Sequence, residues 1–246
     1  MRSDFTALRR RLDSLVWALL PGVCILCNAR SHVMADLCEA CRVALPWIER
    51  PCRHCALPLT DGEQICAACR AHPPPFARSV PALRYVEPVT RMIHRLKFGG
   101  SRVDARVIGS LLAARIRDEY RHEALPDVVV PVPLSRERLR RRGHNQAALL
   151  ARWVAGSIDV PIDHRGCRRI VHTPPQTGLS RSARLRNLTD AFSAVRPFTH
   201  LRVAVVDDVM TTGSTVTALT RTLLAAGADD VHVWIAARTP RPAVAT

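Results

Sequence analysis

Beyond residue 79 the chain alternates between two hydrophobic rhythms. One is the short apolar run: "VPALRYV" at 80–86, "PDVVVPVPLS" at 126–135, Leu201–Val206 and Val231–Ala236. The other has helical period. In "EPVTRMIHRLKFGG" (87–100), apolar residues fall at Val89, Met92, Ile93 and Leu96, Pro88 suits a first turn, and Gly99-Gly100 ends the pattern. Further helical patterns cover 101–123, Arg136–Ala155 and Thr215–Ala226, the last closed by Gly227. Residues 158–199 follow neither rhythm and are rich in arginine. Apolar strands alternating with helices predict a parallel sheet covered on both faces, which makes this part of the chain α/β.

The first 75 residues obey a different pattern. Eight of the nine cysteines fall in C-x-x-C pairs: Cys24/Cys27, Cys38/Cys41, Cys52/Cys55 and Cys66/Cys69. Residues 24–42 and 52–70 both read C-x2-C-x10-C-x2-C, offset by 28 positions. Two thiolates three residues apart can face one ion, and a second such pair completes a tetrahedron. The spacing therefore predicts two closed structural zinc sites, paired either sequentially or as a cross-brace. A relay of redox dithiols is disfavoured by the regular array. His32, His54 and His72 lie close by, but eight thiolates already fill two sites. "AHPPPFARS" (71–79) is a stiff connector, so composition divides the chain into a cysteine-rich module at 1–75 and an α/β domain at 76–246.

Upstream, Leu15–Leu20 is an apolar run of six residues behind Arg9–Arg11. It is short for a secretory signal, Val23 is a poor cleavage position, and Cys24 already has a partner, so an amphipathic helix is expected. No stretch reaches the ~18 apolar residues of a membrane span. Paired thiols without a secretory signal place the chain in a reducing cytoplasm. The net charge of +15 favours anionic partners. Arginine supplies nearly all of the basic residues, as coding bias would, whereas Lys97 is the only lysine.

Most of the chemistry sits in "VAVVDDVMTTGST" (203–215). Asp207 and Asp208 follow a buried strand, at the edge where parallel sheets bind ligands. Thr211, Thr212, Gly213, Ser214 and Thr215 lead into a helix. Its first amides lack internal partners and suit a phosphate, and Gly213 permits close backbone approach. Two acids beside a phosphate site suit the hydroxyls of a ribose, or a magnesium ion. Together these describe a phosphoribosyl site.

The stretch resembles the phosphoribosyl-pyrophosphate motif of type I phosphoribosyltransferases. By that resemblance Asp207 and Asp208 bind ribose hydroxyls, while Met210 to Thr215 wrap the ribose phosphate. "HRLKFGG", "VVPVPLSRERLRRRGHNQAALLA" and "TPPQTGLSRSARLRNLTDAF", behind the cysteine-rich start, are similar to the ComF/GntX family, linked to competence and DNA utilisation. The resemblance runs from Cys24 to about Ala237 and departs mildly at His144, where relatives often carry Phe. It implies a type I phosphoribosyltransferase-like parallel sheet with flanking helices behind a small zinc-binding domain. It also implies a pyrophosphate loop at Val130–Ser135, followed by Arg138, Arg142, Asn145 and Gln146, and a hood over "TPPQTGLSRSAR". Lys97, Arg142 and Arg184 are the candidates for catalytic cations; Arg136, Arg140 and Arg141 read as a solvated face. The implied activity is magnesium-dependent transfer of phosphoribose from phosphoribosyl pyrophosphate to an unidentified acceptor. The alternative is a non-catalytic sensor of such a ligand, or a binder of single-stranded DNA or a competence-machinery protein. Aromatic residues for stacking on single strands are scarce, at 4%.

Overall fold

In a computed structural model of the chain, residues 22–31, 36–60, 62–170 and 191–240 are described. The apolar run at 15–20 and the central hood stretch at 171–190 lie outside them. The chain forms two compact units, Met1–Leu45 and Pro46–Thr246. Composition and packing thus divide the chain at different points, because the second cysteine tetrad is hydrogen-bonded into the larger unit.

In the smaller unit, β1 (Gly22–Val23) pairs antiparallel with β2 (Arg30–Ser31), and α1 (Glu39–Ala44) follows. Cys38 caps α1, its Sγ accepting from the Cys41 amide at 3.4 Å. In the larger unit, the short helix α2 (Ala67–Ala71) completes the second cysteine segment.

A parallel sheet forms the core of the larger unit. Its strands are β3 (Arg78–Arg84), β4 (Val128–Pro131), β7 (Arg202–Met210) and β8 (Asp230–Arg238), in the order β3-β8-β7-β4. The chain crosses between them through α3 (Val89–Gly99), α4 (Arg102–Glu119), α5 (Arg136–Arg142), α6 (Gln146–Ile158) and α7 (Ser214–Ala225). Val203–Val206 and Val231–Ala237 are almost entirely buried, as strands covered on both faces must be. Val89, Met92, Ile93 and Leu96 are fully buried on α3, and Gly100 ends that helix at φ +60°. These apolar positions seat α3 and fix the direction of its C-terminal turn, which carries Lys97.

Two expected elements change. The helix expected over Arg136–Ala155 is two helices, α5 and α6. Gly143 adopts φ +74° and closes α5, while Asn145 Oδ1 accepts from the Ala147 and Ala148 amides and starts α6. The strand expected to end at Val206 continues to Met210, because β8 keeps pairing with it through Met210↔Arg238. Within the irregular stretch, β5 (Cys167–Arg169) and β6 (Phe192–Ala194), which precede and follow residues 171–190 in the chain, form an antiparallel pair.

Candidate functional site

Extension of β7 makes Asp207 and Asp208 strand residues, with exposures of only 8% and 4%. The Asp208 amide donates to Asp207 Oδ1 at 2.9 Å. Burial, reinforced by the neighbouring Asp208 carboxylate, pushes Asp207 well above the usual carboxylate range, while Lys97 pulls it down. Two carboxylates in a dry setting are short of positive charge. Lys97, on the last turn of α3, supplies some of it: Nζ lies 2.8 Å from Asp208 Oδ2.

The loop after β7 turns sharply. Gly213 sits at φ +80° as the N-cap of α7, and a Cβ there would lie 2.7 Å from Met210 Cε. Thr212 Oγ1 and Ser214 Oγ are 2.6 Å apart, and the Ser214 amide reaches Thr212 Oγ1 at 3.4 Å. Thr211 and Thr212 are exposed, Ser214 and Thr215 half-buried, and Met210 buried. Hydroxyls and first-turn amides of a 12-residue helix therefore gather next to the two acids.

Arginines approach from β4 and β5. After β4, Ser135 caps α5 by accepting from the Arg138 amide at 3.3 Å, and Asn145 Nδ2 donates to the Val132 carbonyl at 3.0 Å. Arg142 ends α5 half-buried, bonded to Gln146 Oε1 at 3.1 Å and with its guanidinium 5.3 Å from the Phe98 ring centre. Burial lowers its pKa and the charge of Asp208 opposes that shift, so Arg142 lies within electrostatic reach of the acid pair. His144 ties this corner to α3, its ring nitrogens 2.8 Å from the Arg142 carbonyl and 2.7 Å from the Leu96 carbonyl. Lys97 thus sits on Asp208, and His144 ties the turn that carries Arg142 to the helix that carries Lys97. Arg136, Arg140 and Arg141 are exposed. Arg184 lies outside the described residues.

Two arginines here escaped the sequence reading. Arg169, at the end of β5, feels both Arg138 and Asp207, and burial lowers its pKa first. It also lines a cavity of about 830 Å³ beside the β4 loop, with Pro133, Ser135, Arg136, Arg140 and Arg168. Arg238 ends β8 and is 7% exposed. Neither stands out in a sequence so rich in arginine, and only the strand pairing brings them to this edge.

The cysteines gather sequentially: Cys24, Cys27, Cys38 and Cys41 form one tetrad, and Cys52, Cys55, Cys66 and Cys69 the other. Within each, all sulfurs lie within 4.8 Å of one another. The Cys27–Cys38 and Cys55–Cys66 separations of 3.6 and 3.7 Å match the ~3.8 Å edge of a tetrahedron with zinc–sulfur bonds of ~2.3 Å, not a disulfide. Burial pushes the Cys24 thiol up, but amides of Cys38, Leu26 and Cys27 outweigh it and hold it at about 6. Cys52 is held at about 7 against burial by amides of Cys66, Cys55 and His54. Each tetrad thus offers a ready thiolate, as a metal ligand requires. The solitary Cys167 is buried and pushed up to about 12, a packing residue.

Residues 15–70 match the double zinc ribbon domain family. The geometry and that match define the class: an α/β protein with a parallel sheet behind a double zinc ribbon. Competence protein F of Haemophilus influenzae is 36% identical over 221 residues, 87% of this chain and 96% of the relative. DNA utilization protein YhgH of Escherichia coli K12 is 36% identical over 225 residues, 89% and 98% of the two chains. The chain belongs to the ComF family. Among solved structures, glutamine phosphoribosylpyrophosphate amidotransferase of B. subtilis is 25% identical over 54% of this chain and 26% of its own, with a TM-score of 0.37. Purine phosphoribosyltransferase of Pyrococcus horikoshii is 18% identical over 57% and 76%, with a TM-score of 0.35. Among the described residues, no helix is long and apolar enough to cross a membrane.

Proposed function

We propose that this chain binds phosphoribosyl pyrophosphate with magnesium and transfers its phosphoribosyl group to an acceptor. The observation that carries the reading is the pairing of two buried, cation-seeking acids on β7 with the Thr211–Thr215 loop at the start of α7. Asp207 and Asp208 would accept hydrogen bonds from ribose hydroxyls, and the hydroxyls and amides of 211–215 would hold the 5′-phosphate. A donor set of two buried carboxylates with one raised pKa fits magnesium, which would neutralise charge on the pyrophosphate when bound.

The chain's own cations take the remaining roles. Arg142 and Arg169, with Arg184 on the hood, would bind pyrophosphate oxygens and stabilise charge as the glycosidic bond breaks. Lys97 would pair with Asp208 and orient it toward the ribose. The hood would exclude water so that the acceptor attacks the anomeric carbon. The arginine-lined cavity beside Arg169 supports an acceptor with anionic or hydrogen-bond-accepting groups.

The test is incubation with phosphoribosyl pyrophosphate, magnesium and a panel of bases, with pyrophosphate release measured. Release that disappears in Asp207→Asn/Asp208→Asn supports the enzyme; tight binding without release from any acceptor replaces it with a sensor. The relatives' names support a role in competence or DNA utilisation; the phosphoribosyl reading adds nucleotide metabolism in the cytoplasm to the proposal. Single-stranded DNA or a competence protein would then be a partner. A steep fall in single-stranded DNA binding with salt would support the first.

A further inference from the structure

Arg238 joins two parts of the larger unit that are far apart in sequence. Its Nε donates to the Cys55 carbonyl at 2.7 Å, inside the C-x-x-C knuckle of the second tetrad. Its Nη1 lies 2.9 Å from the Met210 carbonyl and 2.5 Å from the Thr211 carbonyl, where the strand of acids gives way to the Thr-Gly loop. The same nitrogen reaches the carbonyl and hydroxyl of Thr239, both at 3.0 Å. These five acceptors are neutral oxygens. A buried guanidinium is tolerated only where its donors are used, so these loops must hold the positions that receive them. The knuckle is clamped from β3 as well: the Ser79 amide donates to the Arg53 carbonyl at 2.6 Å, and Ser79 Oγ to the His54 carbonyl at 2.7 Å. Successive carbonyls of residues 53, 54 and 55 are thus bound by the ends of two sheet strands. The metal ligands Cys52 and Cys55 flank that turn, so the geometry of the metal site sets where the Cys55 carbonyl points.

We infer that Arg238 is a positioning residue that makes the conformation of the 210–215 loop depend on metal at the second tetrad. As a statement about ligand binding, this rests on the phosphoribosyl reading above. A lysine cannot replace the arginine, because one ammonium cannot span the Cys55 carbonyl on one side and the Met210 and Thr211 carbonyls on the other.

The test is hydrogen exchange by mass spectrometry on the full chain, without ligand, with zinc counted by native mass spectrometry. In the wild type, stripping zinc with a chelator should speed exchange about tenfold at the Thr217 and Thr239 amides, which donate to the Gly213 and Met210 carbonyls, while β4 amides stay protected as an internal control. Arg238→Met and Arg238→Lys should keep two zinc ions, exchange fast at those two amides from the outset, and gain less than about twofold on chelation. Wild-type protection of those amides in both variants, or an equal response to chelation in all three proteins, would overturn the inference. Affinity for magnesium phosphoribosyl pyrophosphate, measured on the same samples, separates the two ideas. A wild type that does not bind it sinks the functional reading and leaves the exchange result standing. Variants that bind within about twofold of a binding wild type sink the coupling to ligand.

Discussion

At the scale of single residues, the acids on β7 set function against stability. The Asp207 carboxyl titrates higher in the fold than in the unfolded chain, because of burial first and Asp208 second. Its cost is absent below the unfolded pKa of about 3.9, grows as pH rises through it, and is complete above the raised folded value. Asp207→Asn keeps the acceptor for the Asp208 amide and removes the charge. It should raise the melting temperature of the ligand-free protein at pH 7.5 by about 2–4 °C, a gain that shrinks as pH falls, and weaken magnesium phosphoribosyl pyrophosphate at least about tenfold. A variant less stable than wild type at pH 7.5 would contradict this account. Lys97→Met should do the opposite, leaving Asp208 without the cation at 2.8 Å. The loss should be about 1–3 kcal/mol, below that of a fully buried pair because Lys97 is partly exposed, and Asp208→Asn should restore most of it in the double variant. Equal melting temperatures for Lys97→Met and wild type would remove Lys97 from the site. Lys97 was legible in the sequence because lysine is otherwise missing. Arg169 and Arg238 were not, because an arginine-rich background hides any single arginine that the fold brings to the sheet edge.

At the scale of elements, the apolar runs identified all four strands of the parallel sheet, since burial on both faces leaves a signature that needs no partner to be read. The break between α5 and α6 was overlooked because helical patterns run up to it from both sides, although Gly143 and Asn145 are a helix-stop and an N-cap residue type. The φ of Gly143 and the cap from Asn145 end one helix and begin the next. The last residues of β7 were hidden for a related reason: Asp207 and Asp208 look like a loop until β8 supplies the pairing. That pairing makes the turn after Met210 abrupt, and Gly213 absorbs it at φ +80°. In Gly213→Ala the new methyl would meet a flexible Met210 side chain, so the backbone is the main source of strain, about 1–2 kcal/mol. The expected result is a melting temperature lower by about 2–8 °C, with weaker ligand binding and both zinc ions retained. A variant that keeps wild-type affinity would show that the loop does not need the left-handed turn to hold phosphate.

At the scale of the whole molecule, the two cysteine segments look like equal copies in sequence and are not equal in the fold. The repeat at an offset of 28 was enough to predict two tetrads, but their unequal attachment depends on contacts that leave no trace in spacing. The second tetrad belongs to the larger unit, where segment 46–49 runs along the open edge of β3. There the Arg84 amide donates to the Pro46 carbonyl at 2.8 Å, the Ile48 amide to the Ala82 carbonyl at 3.3 Å, and Trp47 pairs with Leu83. Covering that edge satisfies backbone groups and blocks pairing with another chain. Metal at Cys52, Cys55, Cys66 and Cys69 would therefore stabilise the unit whose sheet carries Asp207 and Asp208, and metal at Cys24, Cys27, Cys38 and Cys41 the smaller unit. In the full chain, Cys24→Ser/Cys38→Ser and Cys52→Ser/Cys66→Ser should each leave one zinc. The first should move the main unfolding transition by less than about 2 °C, and the second should lower it by about 8 °C or more. Equal shifts, or a larger one from the first pair, would mean that the two ribbons share the load and that the sheet does not depend on the second.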